Sequence, residues 1–148
     1  MRKAFWIALT VFSILLSLFL VFAWLELHSG KDPVQAAKDF ERNISRVSFY
    51  TPIIGVILLL IANMTYSRHP QMLYFLLVWI FVSFFAMIDW FWFREMFFQW
   101  KEEQHLRHGE FSLSRFAGIL ESALALFIVA INYFLHRYFS HKKSKSIN

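Results

Sequence analysis

The chain has 148 residues, of which 58% are hydrophobic and 19 are Phe, and its formal net charge at pH 7 is +5. This composition leaves too few polar residues to coat a soluble globule, and the absence of Cys excludes disulfide scaffolds and thiolate metal sites. The basic excess lies mainly beside apolar runs, so membrane topology explains it and nucleic-acid binding is not expected.

Four apolar runs dominate the sequence, and each is close to the roughly 20 residues that cross a hydrocarbon core about 30 Å thick. They are the segments 5–25, 49–66, 72–92 and 116–136. Backbone groups in lipid must pair within their own segment, and apolarity that is continuous rather than alternating excludes a barrel. The predicted fold is therefore all-α, a single domain built as an antiparallel four-transmembrane-helix bundle.

The distribution of cations predicts the orientation. Arg2 and Lys3 precede the first span, which is longer than a signal-peptide core, so we interpret it as an uncleaved helix rather than a secretory signal. Arg68 follows the second span, and the tail 137–148 is basic. By the positive-inside rule these regions are cytoplasmic. We expect a multi-pass protein of the plasma or inner membrane with both termini in the cytoplasm.

The connection between the first two spans predicts a helix of its own. Asp32 can cap this helix, Pro33 suits its first position, and Gln35 completes an Asp-x-x-Gln box. Apolar residues then recur at helical spacing as far as Val47. We expect a short amphipathic helix on the outer membrane surface, acting as a strap between spans or as a lid.

The end of the third span mixes charge with Trp and Phe at the expected depth of the outer headgroups. Trp90 and Arg94 are four residues apart, so the guanidinium can stack on the indole ring. No Pro or Gly interrupts this segment before Gly109. We therefore expect a helix that leaves the bilayer and ends at Gly109, with Ser112 or Ser114 capping the fourth span.

Glu121 is the leading candidate for a functional residue. A carboxylate at that depth costs about 3 kcal/mol on insertion scales, so it must face the bundle, pair, or take up a proton. Asp89 on the third span and Glu26 and His28 at the end of the first are expected toward the same outer end. Together these groups could hold a proton or a cation. The plainer alternative is that Asp89 bonds to Arg94 or to a Trp N–H.

Small and polar residues share one side of the fourth span with Glu121 and predict close approach by another helix. They are Gly118, Ser122, Ala125 and Asn132. Asn63, near the inner end of the second span, is expected to pair with Asn132 and so join the two helices.

His105 and His108 lie at i, i+3 in the segment expected to be helical, a spacing that permits joint metal coordination with a carboxylate. A solvated helix end explains them equally well. The sequence contains no phosphate-binding loop, zinc-protease helix, nucleophile elbow or dinucleotide fingerprint.

Packing signals are thus abundant and catalytic motifs are scarce. We expect a non-enzymatic integral membrane protein without a cofactor, which works through helix contacts as an accessory or assembly subunit of a membrane complex or as a homo-oligomer. Its partners would be the lipid bilayer and other membrane subunits. The alternative is a small proton- or cation-coupled transporter or channel that uses Glu121 and Asp89. A third hypothesis is a membrane-embedded metal or cofactor site with His28, His105 and His108.

Overall fold

A computed structural model describes residues 2–65, 71–106 and 113–145, with side chains for 3–65, 71–106 and 116–140. The described residues are 93% helical and contain no strand. Four helices in these ranges are, by length and composition, able to cross a membrane: Lys3–Leu27, Pro33–Thr65, Met72–Glu103 and Phe116–Ser140. The prediction of an all-α chain with four helices of spanning length is confirmed.

Six helical segments follow one another along the described residues. They are α1 (Arg2–Leu27), α2 (Pro33–Thr65), α3 (Met72–Met87), a π-helical turn (Ile88–Phe93), α4 (Arg94–Glu103) and α5 (Leu113–Lys145). α1 packs mainly on α2, α2 also packs on α3, and α5 packs mainly on α3. α3, the π-helical turn and α4 form one uninterrupted helical rod.

Aromatic contacts define one end of the fold. The ring of Phe5 in α1 meets that of Tyr74 in α3 edge-on at 5.2 Å between centroids. The ring centroid of Phe75 lies 5.4 Å from that of Tyr133 and 6.2 Å from that of His136, both in α5. The beginnings of α1 and α3 and the late part of α5 therefore lie together at this end.

α2 begins where the sequence predicted, because Pro33 is its first residue and the backbone N–H of Gln35 donates to the Asp32 carboxylate at 3.3 Å. The expectation of a separate short outer helix is wrong, since the amphipathic stretch continues into the second span without a break. The reason is an unbroken buried stripe along α2, with neighbours three or four residues apart. Its members include Ala36, Phe40, Ile44, Val47, Thr51, Ile54 and Leu58.

The first half of α2 packs against α4. Phe40 stacks on Phe97 with 4.3 Å between ring centroids, and the Lys101 ammonium lies 2.9 Å from the Glu41 carboxylate. An amphipathic surface strap would leave its apolar face to lipid, whereas here that face is buried against protein. Lys38, Arg42 and Arg46 of α2 are exposed, and Glu41 pairs with Lys101 at the edge of this contact.

α4 ends at Glu103, so the expectation that the helix would run to Gly109 is wrong. His105 takes a left-handed conformation with φ of 53°. The N–H of Leu106 donates to the carbonyl of Lys101 at 3.0 Å, and the N–H of His105 donates to the carbonyl of Glu102 at 3.0 Å. This is a Schellman motif with His in the position that Gly usually takes.

The expected cap of α5 is only partly addressed by the structure. Ser114 lies inside α5, which begins at Leu113, and so does not precede the helix. Gly109 and Ser112 lie outside the described residues.

Candidate functional site at the π-helical turn

The π-helical turn Ile88–Phe93 shapes the candidate site. The backbone N–H of Arg94 donates to the carbonyl of Asp89, five residues earlier, instead of four. This wider turn brings residues five apart onto one side of the rod, which an α-helix does not do. Arg94 can therefore reach the carboxylate of Asp89. Such turns are rare and occur frequently at functional sites.

Asp89 is buried, with 1% of its surface exposed. The hydroxyl of Ser48, on α2, donates to one carboxylate oxygen, and Nε of Arg94 lies 3.4 Å from the other. This second contact is an ion pair without hydrogen-bond geometry. Nη2 of Arg94 donates to Oγ of Ser48 at 2.7 Å, so Asp89, Ser48 and Arg94 form a triangle in which each residue contacts the other two. A buried charge is tolerated when it is paired and hydrogen-bonded in this way.

Trp90 extends the contacts of this triangle to α5. Its indole N–H donates to Oε2 of Glu121 at 3.1 Å, and the guanidinium carbon of Arg94 lies 3.9 Å from the centroid of its ring. The stacking of Arg94 on Trp90 that their spacing predicted is confirmed. The side chains in this set of linked contacts, called here the polar network, are Ser48, Asp89, Arg94, Trp90 and Glu121.

Gly118 allows α5 to approach the π-helical turn. A Cβ atom placed on Gly118 would lie 2.9 Å from Cβ of Trp90 and 3.3 Å from the ring of Phe91. Both distances are closer than side chains normally pack. The absence of a side chain at this position therefore lets Glu121, three residues later, come within reach of the Trp90 indole.

A second set of hydrogen bonds joins α3 to α5 one turn further along. The hydroxyl of Ser122 donates to that of Ser83 at 2.7 Å, and the indole N–H of Trp79 donates to the carbonyl of Ser122 at 3.1 Å. Ser122 is buried and Ala125 and Asn132 are half-buried, so the small-residue side of α5 faces the protein. Sequence reasoning singled out Ser122 but not its partners on α3.

Glu121 also lines a cleft of about 100 Å³ between α2, α3 and α5. Its second oxygen, Oε1, is buried and accepts no hydrogen bond from the described residues. The cleft wall includes Pro52 and Gly55 of α2, Val82 of α3 and Ala125 of α5. The carboxylate is thus held on one side by Trp90 and faces an apolar space with the other.

Glu26 and His28 find partners at their own end of α1. The Glu26 carboxylate lies 2.6 Å from the Lys31 ammonium, and the His28 ring stacks on Trp24 at 4.5 Å. The hydrogen bond that the Lys31 ammonium donates to Glu26 raises the pKa of Lys31, although desolvation partly opposes it. Within the described part of the chain, no contact joins either residue to the polar network.

The predicted pairing of Asn63 with Asn132 is wrong. The side-chain oxygen of each is buried and accepts no hydrogen bond from the described residues. α2 packs mainly on α1 and then on α3, while α5 packs mainly on α3, so α2 and α5 have little contact with each other.

The helix expected to carry His105 and His108 ends before them, at Glu103, and joint coordination of a metal by the two residues stays a prediction. His105 lies in the turn that follows α4, and His108 lies outside the described residues. Across the described ranges, no three His, Asp or Glu side chains are grouped closely enough to hold a metal ion.

No family model, curated protein or solved structure matches this chain. Over the described residues, the fold and the site define an all-helical arrangement with four helices long and apolar enough to span a membrane, in which the buried Asp89 is paired with Arg94 at a π-helical turn.

Proposed function

We propose that the protein is an integral membrane protein that works through helix contacts, as an accessory or assembly subunit of a membrane complex or as a homo-oligomer. The observation that carries this proposal is the outward face of α1. Thr10 and Ser17 lie on it seven residues apart, both exposed, in the middle of a helix of spanning length. Small hydroxyl residues in spans are typical of positions where another helix approaches closely.

The partners of the acidic residues inside the fold support the same proposal. Asp89 is engaged by Arg94 and Ser48, and Oε2 of Glu121 is engaged by Trp90. These contacts tie α2, the π-helical turn, α4 and α5 to one another. α1 lies at one edge of the helix row, outside these contacts, and its outward face is available to a partner.

The proposed arrangement in the membrane is an antiparallel four-span bundle with both termini in the cytoplasm, in a plasma or inner membrane. The contacts of Phe5 with Tyr74 and of Phe75 with His136 support a common side for the two termini. The Lys-rich tail supports the choice of the cytoplasmic side. Reporter fusions after Lys31 and in the tail test this arrangement. The first should report the outside and the second the cytoplasm.

The partner contact is tested by site-specific cross-linking in native membranes. The chain has no Cys, so Ser17→Cys or Thr10→Cys introduces a unique thiol. We expect a maleimide photo-cross-linker at either position to capture one defined product, either a dimer of this chain or one other membrane protein identified by mass spectrometry. Leu60→Cys, at an exposed position on α2, is the matched control and should give no defined product. Equal products from all three positions would reject the proposal.

A second candidate is a small proton- or cation-coupled transporter. The polar network favours it, because Glu121 and Asp89 are joined through Trp90 and Arg94. In proteoliposomes that contain the purified chain, Glu121→Gln and Asp89→Asn should abolish proton or cation flux while the protein still folds. Flux that is absent in the parent, or unchanged in both variants, would reject this candidate.

A further inference from the structure

We propose that the cleft between α2, α3 and α5 binds the protonated primary amine of a single-chain amphiphile that partitions into the bilayer. Glu121 would accept a hydrogen bond from the ammonium group, and the cleft wall would contact the first methylenes of the chain. This inference concerns a different face of the protein from the α1 contact surface and does not depend on it.

The geometry of Glu121 supplies the polar half of the site. Trp90 holds Oε2 by a hydrogen bond of 3.1 Å, so the orientation of the carboxylate is fixed before a ligand arrives. Oε1 is buried and receives no donor from the described residues. An acceptor left unpaired in an apolar environment is costly, and an N–H donor that carries positive charge is the partner that relieves most of this cost.

The other residues that line the cleft determine which kind of ligand can occupy it. The lining residues other than Glu121 are aliphatic side chains, Pro and Gly. None of them can donate to a phosphate, sulfate or carboxylate, so an anionic or zwitterionic headgroup would be buried without partners. A volume of about 100 Å³ suits an ammonium group and a few methylenes.

The cleft opens toward the side of the protein rather than toward either end. Val56 of α2 and Leu124 and Ile128 of α5 line it and are each about half exposed. In spans of this length, exposed aliphatic residues face the acyl chains. A ligand would therefore enter from the bilayer, with its alkyl chain remaining between the helices and the lipid.

Binding of radiolabelled decylamine to the full chain in phosphatidylcholine nanodiscs tests the proposal, with empty nanodiscs as background. We expect saturable binding that unlabelled decylammonium displaces but decanol and decanoate do not. Glu121→Gln should weaken the affinity about tenfold or more, since a charge-assisted hydrogen bond is lost. Glu102→Gln removes the same charge at an exposed position on α4 and should leave the affinity unchanged.

A second variant fills the cleft without removing the carboxylate. Ala125 lines the cleft one turn after Glu121, so Ala125→Leu should abolish saturable binding while the protein remains monodisperse. If Glu121→Gln does not fold, the Ala125→Leu variant tests whether the amine binds in this cleft.

Three results would overturn the proposal. Equal displacement by decanol would mean that the cleft selects only for an alkyl chain. Unchanged affinity in a folded Glu121→Gln variant would remove the role of the carboxylate. Displacement of decylamine when phosphatidylethanolamine is added to the nanodiscs would identify a membrane lipid, not a single-chain amine, as the occupant. None of these results bears on cross-linking through Ser17, so the two proposals fail separately.

Discussion

Trp90 lies between a cation and an acid. Its indole N–H donates to Glu121 at 3.1 Å, while the guanidinium of Arg94 lies 3.9 Å from the centroid of the same ring. The face of an aromatic ring is electron-rich and its edge is electron-poor, so both contacts match the ring's own charge distribution. The ring lies between the two charged groups and contacts both of them. A change at Trp90 should therefore affect both.

Trp90→Phe separates these two roles. The variant keeps a ring beneath Arg94 but removes the N–H, so Oε2 of Glu121 loses its donor. We expect a loss of about 1 to 3 kcal/mol in the free energy of unfolding, measured by denaturation in mild detergent. Trp92→Phe is the matched control, because Trp92 is 67% exposed, and it should be nearly neutral. Equal losses in both variants would contradict a specific role for the hydrogen bond.

The ion pair of Asp89 with Arg94 should show strong energetic coupling. Asp89→Asn or Arg94→Gln alone leaves one charge without its partner in a buried site. We expect each to cost about 3 kcal/mol, the low end of the usual range because the Arg94 side chain is 26% exposed. The double variant should cost less than the sum of the two. A double-mutant cycle of unfolding free energies measures this, and additive losses would mean that the pair contributes nothing of its own.

Gly118 should not tolerate even a methyl group. The Cβ of Gly118→Ala would lie 2.9 Å from that of Trp90, and two backbones rather than a flexible side chain would have to move apart. We expect a loss of about 1 to 3 kcal/mol in unfolding free energy. Ala123→Leu, a larger change on the exposed side of α5, serves as the control and should cost little. A fully stable Gly118→Ala protein would show that α5 can pack differently.

The contact of Lys31 with Glu26 predicts a dependence on alkaline pH. The pKa of Lys31 is raised from its ordinary value of 10.5, first by the hydrogen bond that its ammonium donates to Glu26. The stabilisation is therefore fully present below pH 10.5 and is lost as the pH rises through the raised pKa. Melting temperatures of the parent and Lys31→Met should differ by a small constant amount at neutral pH and converge at the alkaline end. A difference that persists there would contradict this cause.

Several features of the fold follow from local sequence. Runs of apolar residues identify the four long helices, and Asp32 with Pro33 marks the beginning of α2. The stacking of Arg94 on Trp90 also follows from a spacing of four. In each case the interacting residues are near one another in the chain, so propensity and periodicity carry the information.

The features that sequence reasoning missed depend on partners far along the chain or on unusual residues. Ser48 is 41 residues from Asp89, and a hydroxyl on a distant helix gives no local signal of its role. The end of α4 was misplaced because His105, not a Gly, takes the left-handed position. The continuity of α2 was missed because the burial of Phe40 against Phe97 depends on where α4 lies.

The π-helical turn has a consequence for the rod that contains it. A π-helical turn holds one residue more than the α-helical turn it replaces, so Ile88–Phe93 can be regarded as the site of a single-residue insertion. If the same residues formed a regular α-helix, the extra residue would rotate everything that follows by about 100°. Arg94 would leave Ser48, and Lys101 would leave Glu41. The π-helical turn thus absorbs the surplus residue and keeps α4 in contact with α2.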